Sequence, residues 1–172
     1  NIEYAQADIM ELGTLDRQFD LIESAGVLHH LGDPMAGWKV LVDLLKPGGL
    51  MKIGLYSEMA RQHIVAGRAM ITEMGYTSSP EDIRQCRQDI ITRIENGDSN
   101  LEKLFNMRDF YSRSECRDLL FHVQENRFTV PQIGEALDVF NLKFLGFEMH
   151  NQSAVKRFKD IYTKKSDLTS LA

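Results

Sequence analysis

Two adjacent histidines lie just beyond a short apolar run. The run covers residues 19–25, and Gly26 separates it from a turn that contains His29 and His30. Imidazole side chains can transfer protons near neutral pH or bind a metal ion. Adjacent side chains at a helix entrance point in different directions, and no third ligand stands at a suitable spacing, so we expect no metal here. One histidine should support the turn while the other faces a pocket, and the sequence leaves open which does which.

A second group of reactive side chains lies in the segment 111–127. The candidates are Tyr111, Arg117, His122 and Glu125. Any of these side chains could position an acceptor or move a proton. A structural alternative is an ion pair of Arg117 with Asp118 or Glu125, which at a surface contributes little. His122 and Arg127 could instead bind a carboxylate or phosphate of a substrate.

The elements that position the two histidines form a strand, helix, strand unit. Phe19–Ala25 is apolar enough to predict a strand covered on both faces. Asp33 followed by Pro34 predicts the start of a helix. Lys46–Gly49, reading KPGG, predicts its end, and a second strand should follow at residues 50–56. Such crossovers are right-handed in nearly all proteins and join neighbouring parallel strands.

Two further strands are expected outside this unit. Ile2–Ile9 is a short apolar segment that carries an acid, Asp8, at its carboxyl end. Leu142–Met149 alternates apolar and polar residues, which is typical of a strand with one covered face. From Ser153 onward the chain predicts a basic amphipathic segment.

The region between the strands predicts helices. Ser57 and Ser79 can cap helices that end at Gly75 and near Gly97. Ser112 with Glu115, and Thr129 with Gln132, form the spacing of a capping box. Residues 57–139 are therefore mostly helical, and the fold class is α/β with a helical insertion.

The composition restricts the class of protein. The chain has 172 residues, 43% of them hydrophobic, and a formal net charge of -5. This acidic balance argues against a nucleic-acid partner, since phosphate contacts need clustered Lys and Arg. No apolar run approaches the roughly 20 residues that cross a bilayer, so we expect a cytoplasmic protein without a membrane partner. Cys86 and Cys116 are far apart and predict buried thiols.

The stretch that reads ADI, FDLIESAGVLHHLGDP and LLKPGGLMKIGLYS resembles the class I S-adenosylmethionine-dependent methyltransferases, closely over residues 2–57. The segment DFYSRSECRDLLFHVQENRFTVPQI is similar to the cap of a bacterial branch often fused to tetratricopeptide repeats. The resemblance implies a partial doubly wound parallel sheet, formed by residues 1–57 and 140–172. Residues 58–139 would then be the helical cap.

The resemblance also implies a cofactor site at the carboxyl ends of the strands, where doubly wound sheets bind ligands. Its S-adenosylmethionine-binding residues would be Asp8, Ile9, Glu23, Ser24, Ala25, Gly26, Val27 and Leu28. Asp8 would accept from the adenine amino group, Ile9 would add an apolar wall, and residues 23–26 would lie beside the methionine portion. The alternatives are that Asp8 only ends a strand and that the small residues only allow close packing. The catalytic group is left open among His29, His30, Tyr111, Arg117 and His122.

The sequence departs from the family pattern in its cofactor-binding parts. The Gly-rich turn after the first family strand is absent, as are the acid for the ribose hydroxyls and the last family strand. We therefore expect a domain truncated at both ends, with weak or no cofactor binding in the isolated chain. The pair of strands at 19–25 and 50–56 would have open edges, which predicts a homodimer.

These observations favour a fragment of a methyltransferase (EC 2.1.1.-) that carries half of the cofactor site and the substrate cap. Its methyl acceptor, a small molecule or a protein, is open. The alternative is a non-catalytic interaction module that dimerises or binds partners through the open sheet edge and the helical cap. A dehydrogenase is disfavoured by the missing Gly-rich turn.

Overall fold

The computed structural model describes residues 2–122, 124–149, 151–162, 169 and 171. Contacts divide the chain into one unit at 1–127 and a second at 128–172. This division differs from the grouping expected from the sequence, in which 140–172 joins the sheet; that grouping stays a prediction. No helix in the described ranges is long and apolar enough to span a membrane.

The parallel strand pair predicted from the sequence is confirmed. Strand β1, Phe19–Ala25, runs parallel to strand β2, Leu45–Gly54, with Ser24 opposite Ile53 and Ala25 opposite Gly54. The KPGG turn lies inside β2: Phe19 pairs with Leu45 and Leu21 with Leu50, so residues 46–49 form an irregular insertion. This mixed arrangement of parallel strands and a crossover helix agrees with the α/β class expected from the sequence.

Helix α1, Pro34–Asp43, makes the crossover between these strands. Its N-cap is Asp33, whose side chain accepts from the backbone N–H of Ala36, as expected from the Asp-Pro pair. Trp38 and Leu41 are buried on one face of the helix. The helix therefore begins where the sequence indicated. The turn that carries the histidines lies between the end of β1 and this helix.

The remaining helices of the first unit form a separate apolar core. They are α2, Gln62–Met74, α3, Pro80–Glu95, and α4, Arg113–Phe121, with short 3-10 turns at Glu102–Asn106 and Arg108–Phe110. The fully buried core side chains include Ile64, Ile83, Cys86, Ile90, Leu104, Phe110 and Cys116. Cys86 and Cys116 are both buried free thiols, as expected. Burial raises the pKa of Cys86 to about 12 and that of Cys116 to about 11.

Helix starts agree with the sequence in some places and not in others. Ser79 caps α3, and Thr129 with Gln132 forms the expected capping box at α5, Val130–Val139. The capping box predicted at Ser112 is wrong, because the Ser112 side chain makes no hydrogen bond to the start of α4. Ser57 accepts from the Ala60 N–H, but α2 begins only at Gln62.

Both outer strands predicted from the sequence are wrong. Residues 2–8 are exposed and irregular, and Ile9–Thr14 is a 3-10 helix capped by Asp8. Residues 142–149 also lack regular structure, and Leu145 is exposed. A strand persists only when a neighbour pairs with its backbone, and no described strand runs along either segment.

The second unit contains α5 and α6, Gln152–Ile161. Asn151 caps α6 through its side chain, and none of the helix residues is buried. The expected amphipathic segment therefore forms a helix. The two short strands β3, Tyr56–Ser57, and β4, Arg127–Phe128, are not part of the β1–β2 sheet, and the division of the units falls within β4.

Candidate functional site at the ends of the parallel strands

The carboxyl ends of β1 and β2 approach each other very closely. A Cβ placed on Gly54 would lie 3.1 Å from Ala25 Cα and 3.3 Å from Ala25 Cβ. Gly26 turns the chain away from the sheet with φ +77°, a left-handed conformation that favours glycine. Among the described residues, its two chain neighbours apart, no atom lies within 4 Å of a Cβ built on Gly26, so space is open beside this turn.

Four residues at these strand ends, Ser24, Ala25, Gly26 and Gly54, form what we call the rim, and they differ in exposure. Ala25 and Gly26 are exposed, whereas the Ser24 hydroxyl is buried without a hydrogen-bond partner among the described residues. Glu23 pairs with Lys52 at 3.0 Å on the exposed sheet face. A buried hydroxyl without a partner is costly and marks a position where a ligand could supply one.

Leu28 and His29 are buried in the turn after the rim, while Val27 is exposed. The His29 ring stacks on Tyr56, with ring centres 3.7 Å apart. The Arg61 guanidinium also lies 3.7 Å from the centre of the Tyr56 ring. Two planar groups cannot occupy the same face at that distance, so Tyr56 lies between His29 and Arg61.

The two histidines have different surroundings. His29 is 1% exposed, and neither ring nitrogen reaches a hydrogen-bond partner within the described ranges. Burial, and the nearby charge of His30 when protonated, lower the pKa of His29, although the Gly54 carbonyl acts in the opposite direction. His30 is half-buried, and its Nδ1 lies 3.3 Å from the Gln124 carbonyl oxygen. His29 is thus the buttressing member, and His30 is the more accessible one.

Asp8 and Ile9 are not part of a strand end. One Asp8 carboxylate oxygen accepts from the Met10 N–H at 2.9 Å and starts the 3-10 helix. Asp8 is exposed and Ile9 is half-buried. The structure therefore places Asp8 as a helix cap; its expected contact with an adenine amino group stays a prediction.

The most concentrated group of charges surrounds Glu125, whose side chain is 1% exposed. Arg61 binds it with two hydrogen bonds, from Nε at 2.8 Å and from a terminal nitrogen at 2.6 Å. Arg68 adds a third at 3.1 Å and also donates to the Leu119 carbonyl. Burial acts to raise the pKa of Glu125, but the Arg61 hydrogen bonds and the charges of Arg68, Arg61 and Arg127 lower it overall.

Arg127 completes this cluster on a second carboxylate. Its Nε donates to Glu58 at 2.9 Å, and a terminal nitrogen lies 4.0 Å from Glu125, beyond hydrogen-bond distance. We call Arg61, Arg68 and Arg127 with Glu125 and Glu58 the arginine cluster. All five residues belong to the first unit.

Asn126 connects this cluster to the histidine turn. Its backbone N–H donates to the His29 carbonyl at 2.7 Å, and its side chain donates to the Leu31 carbonyl at 2.8 Å. The His122 ring lies 4.8 Å from the His30 ring. Residues 122 and 124–127 therefore hold the arginine cluster beside the turn that follows the rim.

The sequence candidates are only partly brought together. His30 lies beside His122, and Glu125 lies near Arg127. Tyr111 is exposed and donates to the Phe105 carbonyl, and Arg117 is exposed on α4. The suggested pairing of Arg117 with Glu125 is wrong, since Arg61 and Arg68 bind that carboxylate.

Sequence reasoning missed Arg61, Arg68, Tyr56 and Asn126. The spacing of Arg61 and Arg68, seven residues apart, places both on one face of a helix and could have revealed the first two. Tyr56 and Asn126 carry no comparable signal, because their roles depend on long-range contacts.

Comparison with known proteins bears on the rim directly. Residues 1–53 match the family model described as a methyltransferase domain. The matched residues include β1, α1 and all of β2 except Gly54, and hence Ser24 to Gly26 of the rim. Methyltransferase domains of this kind generally use S-adenosylmethionine.

A similar protein extends the likeness beyond the methyltransferase match. An uncharacterized protein of Synechococcus sp. is 29% identical over 157 residues, which cover 85% of this chain and 36% of the relative. The chain therefore spans about a third of the length of that relative, and the similarity includes residues outside the methyltransferase match.

Proposed function

We propose that this chain supplies part of the cofactor site and the acceptor side of an S-adenosylmethionine-dependent methyltransferase. The observation that carries the proposal is the rim, where Gly26 leaves open space at the carboxyl ends of two parallel strands that lie close together at Ala25 and Gly54. In doubly wound folds, this is where ligands bind. The match of residues 1–53 to a methyltransferase domain supports the same location.

The residues at the rim fit the methionine portion of such a cofactor. The Ser24 hydroxyl has no hydrogen-bond partner among the described residues, and it can donate or accept a hydrogen bond. A side chain on Gly54 would collide with Ala25. Gly26 allows the backbone to approach a ligand closely. Val27 offers an exposed apolar contact beside it.

S-adenosylmethionine supplies an electrophilic methyl group on a sulfonium sulfur. The residues of this chain would mainly orient the acceptor and exclude water, since such a displacement depends on alignment. An oxygen acceptor also needs a base for its proton. His30 is the candidate for that base, because it is more accessible than His29 and lies beside His122.

Calorimetric titration of the native full-length protein with S-adenosylhomocysteine tests this proposal. We expect binding by the wild type and at least a tenfold loss on Ala25→Phe, because the new ring fills the rim. Leu21→Phe, four residues earlier on the same exposed strand, is the matched control and should bind normally. No binding at millimolar ligand, or equal binding by Ala25→Phe, would reject the proposal. The isolated chain should bind weakly or not at all.

A second candidate function is association through the sheet. Leu21 and Leu50 are paired in register, and 63% and 53% of their surfaces are exposed. Exposed apolar pairs on a two-stranded sheet favour binding of another chain, which we propose is a second copy in a homodimer. Light scattering of the chain at micromolar concentration tests this, and a monodisperse monomer contradicts it.

A further inference from the structure

The arginine cluster holds more positive than negative charge in a largely buried place. Three guanidinium groups, of Arg61, Arg68 and Arg127, face two carboxylates, of Glu125 and Glu58. The arginine side chains are only 13%, 20% and 24% exposed. A partly buried charge without a partner is unfavourable, so one further anion would balance the cluster.

Hydrogen-bond donors in the cluster are also in excess. Arg68 Nε is buried and has no acceptor within the described part of the chain. Arg127 donates to Glu58 from Nε, while its terminal nitrogen is too far from Glu125 to donate to it. Planar guanidinium forks with unused donors match the geometry of a carboxylate or phosphate.

The arginine cluster can be reached from solvent, and its excess of positive charge contrasts with the negative net charge of the chain. The Arg127 side chain keeps about a quarter of its surface exposed, so a small anion can approach its terminal nitrogens. The chain as a whole carries a formal net charge of -5, which disfavours unspecific binding of anions elsewhere. A local excess of positive charge in this background indicates a specific role.

We propose that the arginine cluster binds an oxyanion, a carboxylate or a phosphate, that belongs to the methyl acceptor. The proposal rests on the proposed function for the identity of the acceptor. The cluster adjoins the turn of His29 and His30, which follows the rim directly. An anionic group held there by Arg127 would fix one end of an acceptor, and its reactive atom would then extend towards the open space beside Gly26.

Titration of the full-length protein with inorganic phosphate and with malonate, at constant ionic strength and without cofactor, tests this. We expect one of the two anions to bind and Arg127→Gln to weaken its binding at least tenfold. Arg84→Gln removes an exposed arginine of an ordinary surface pair and should change nothing. The stronger anion distinguishes a carboxylate from a phosphate. No binding, or equal binding by the three proteins, overturns the proposal.

Repeating the titration with saturating S-adenosylhomocysteine separates the acceptor from the cofactor. We expect the affinity for the anion to stay the same, because the two ligands would occupy separate, neighbouring sites. Competition would mean that the arginines hold the carboxylate of the cofactor, and would overturn the assignment to the acceptor. Failure of S-adenosylhomocysteine to bind while the anion binds rejects the proposed function and the acceptor assignment, but leaves the anion site. If Arg127→Gln does not fold, Arg127→Lys keeps the charge, loses the fork, and should still weaken binding.

Discussion

The two parallel strands and the helices α2 to α4 are stabilised in different ways. The helices share a core of fully buried side chains, among them Ile64, Ile90 and Phe110. The strands β1 and β2 pair through their backbones, yet Leu21 and Leu50 remain more than half exposed. The helical part thus carries its own hydrophobic stabilisation, whereas the strand pair offers surfaces and an open rim for other molecules.

The largest effect should come from emptying the helical core. Phe110→Ala removes a fully buried ring and is expected to lower the free energy of unfolding by roughly 4 kcal/mol. Urea denaturation followed by circular dichroism measures this change. A loss below about 1 kcal/mol would contradict a cohesive core in these helices.

Removing the buried charge of Glu125 should have the next largest effect. Glu125→Gln leaves Arg61 and Arg68 without their anion and is expected to cost roughly 3 kcal/mol. Glu81→Gln disrupts an exposed pair with Arg84 and should cost less than about 0.5 kcal/mol. Equal losses for the two variants, measured by urea denaturation, would show that the buried ion pairs of Glu125 stabilise the fold no more than an exposed pair does.

The lowered pKa of Glu125 also sets a pH dependence with a definite sign. Its folded carboxyl binds a proton less readily than the unfolded one, whose pKa is about 4.5. The stabilisation is therefore present above about pH 4.5 and is lost as the pH falls through the folded value. Glu125→Gln should flatten the acid limb of the stability profile, and an unchanged limb would contradict this.

His29 should give a smaller effect with its own pH window. Because its pKa is lowered from 6.5 in the folded protein, the unfolded chain binds more protons just below pH 6.5, and stability should fall as the pH drops from there. His29→Phe keeps a ring beside Tyr56 and removes the titration. For this variant, the free energy of unfolding at pH 8 should stay the same or increase. The slope of that free energy against pH, below pH 6.5, should decrease. An unchanged slope would mean that groups other than His29 cause this pH dependence.

The smallest effect on unfolding is expected in the exposed sheet. Leu21→Ala should change the free energy of unfolding by less than about 0.5 kcal/mol, because its side chain is mostly in water. The same variant should weaken self-association measured by light scattering. A large loss of stability in the isolated protomer would mean that the Leu21 side chain is covered rather than exposed to water.

Local signals in the sequence predicted the elements whose stability is local. Asp33 with Pro34, Ser79 with Pro80, and Gly75 mark helix ends that the structure reproduces, because caps and left-handed turns depend on neighbouring residues. The strand expected at Leu142–Met149 failed, because a strand depends on a partner that its own residues do not specify.

The same distinction applies to the candidate site. The rim at Ser24 to Gly26 follows from one strand and its family pattern, and residues 1–53 match a methyltransferase domain. The arginine cluster joins Arg61 and Arg68 near α2 to Glu125, more than fifty residues away along the chain. Single-sequence reasoning identified Glu125 and Arg127 as candidates but gave Glu125 the wrong partner.

A crystal structure of the full-length protein with S-adenosylhomocysteine is the most direct measurement of the central claim. We expect the methionine portion of the ligand beside Ala25 and Gly26, with the Ser24 hydroxyl among its hydrogen-bond partners. A bound ligand at another place, with the space beside Gly26 filled by the side chains of the protein itself, would contradict the assignment of this rim as the cofactor site.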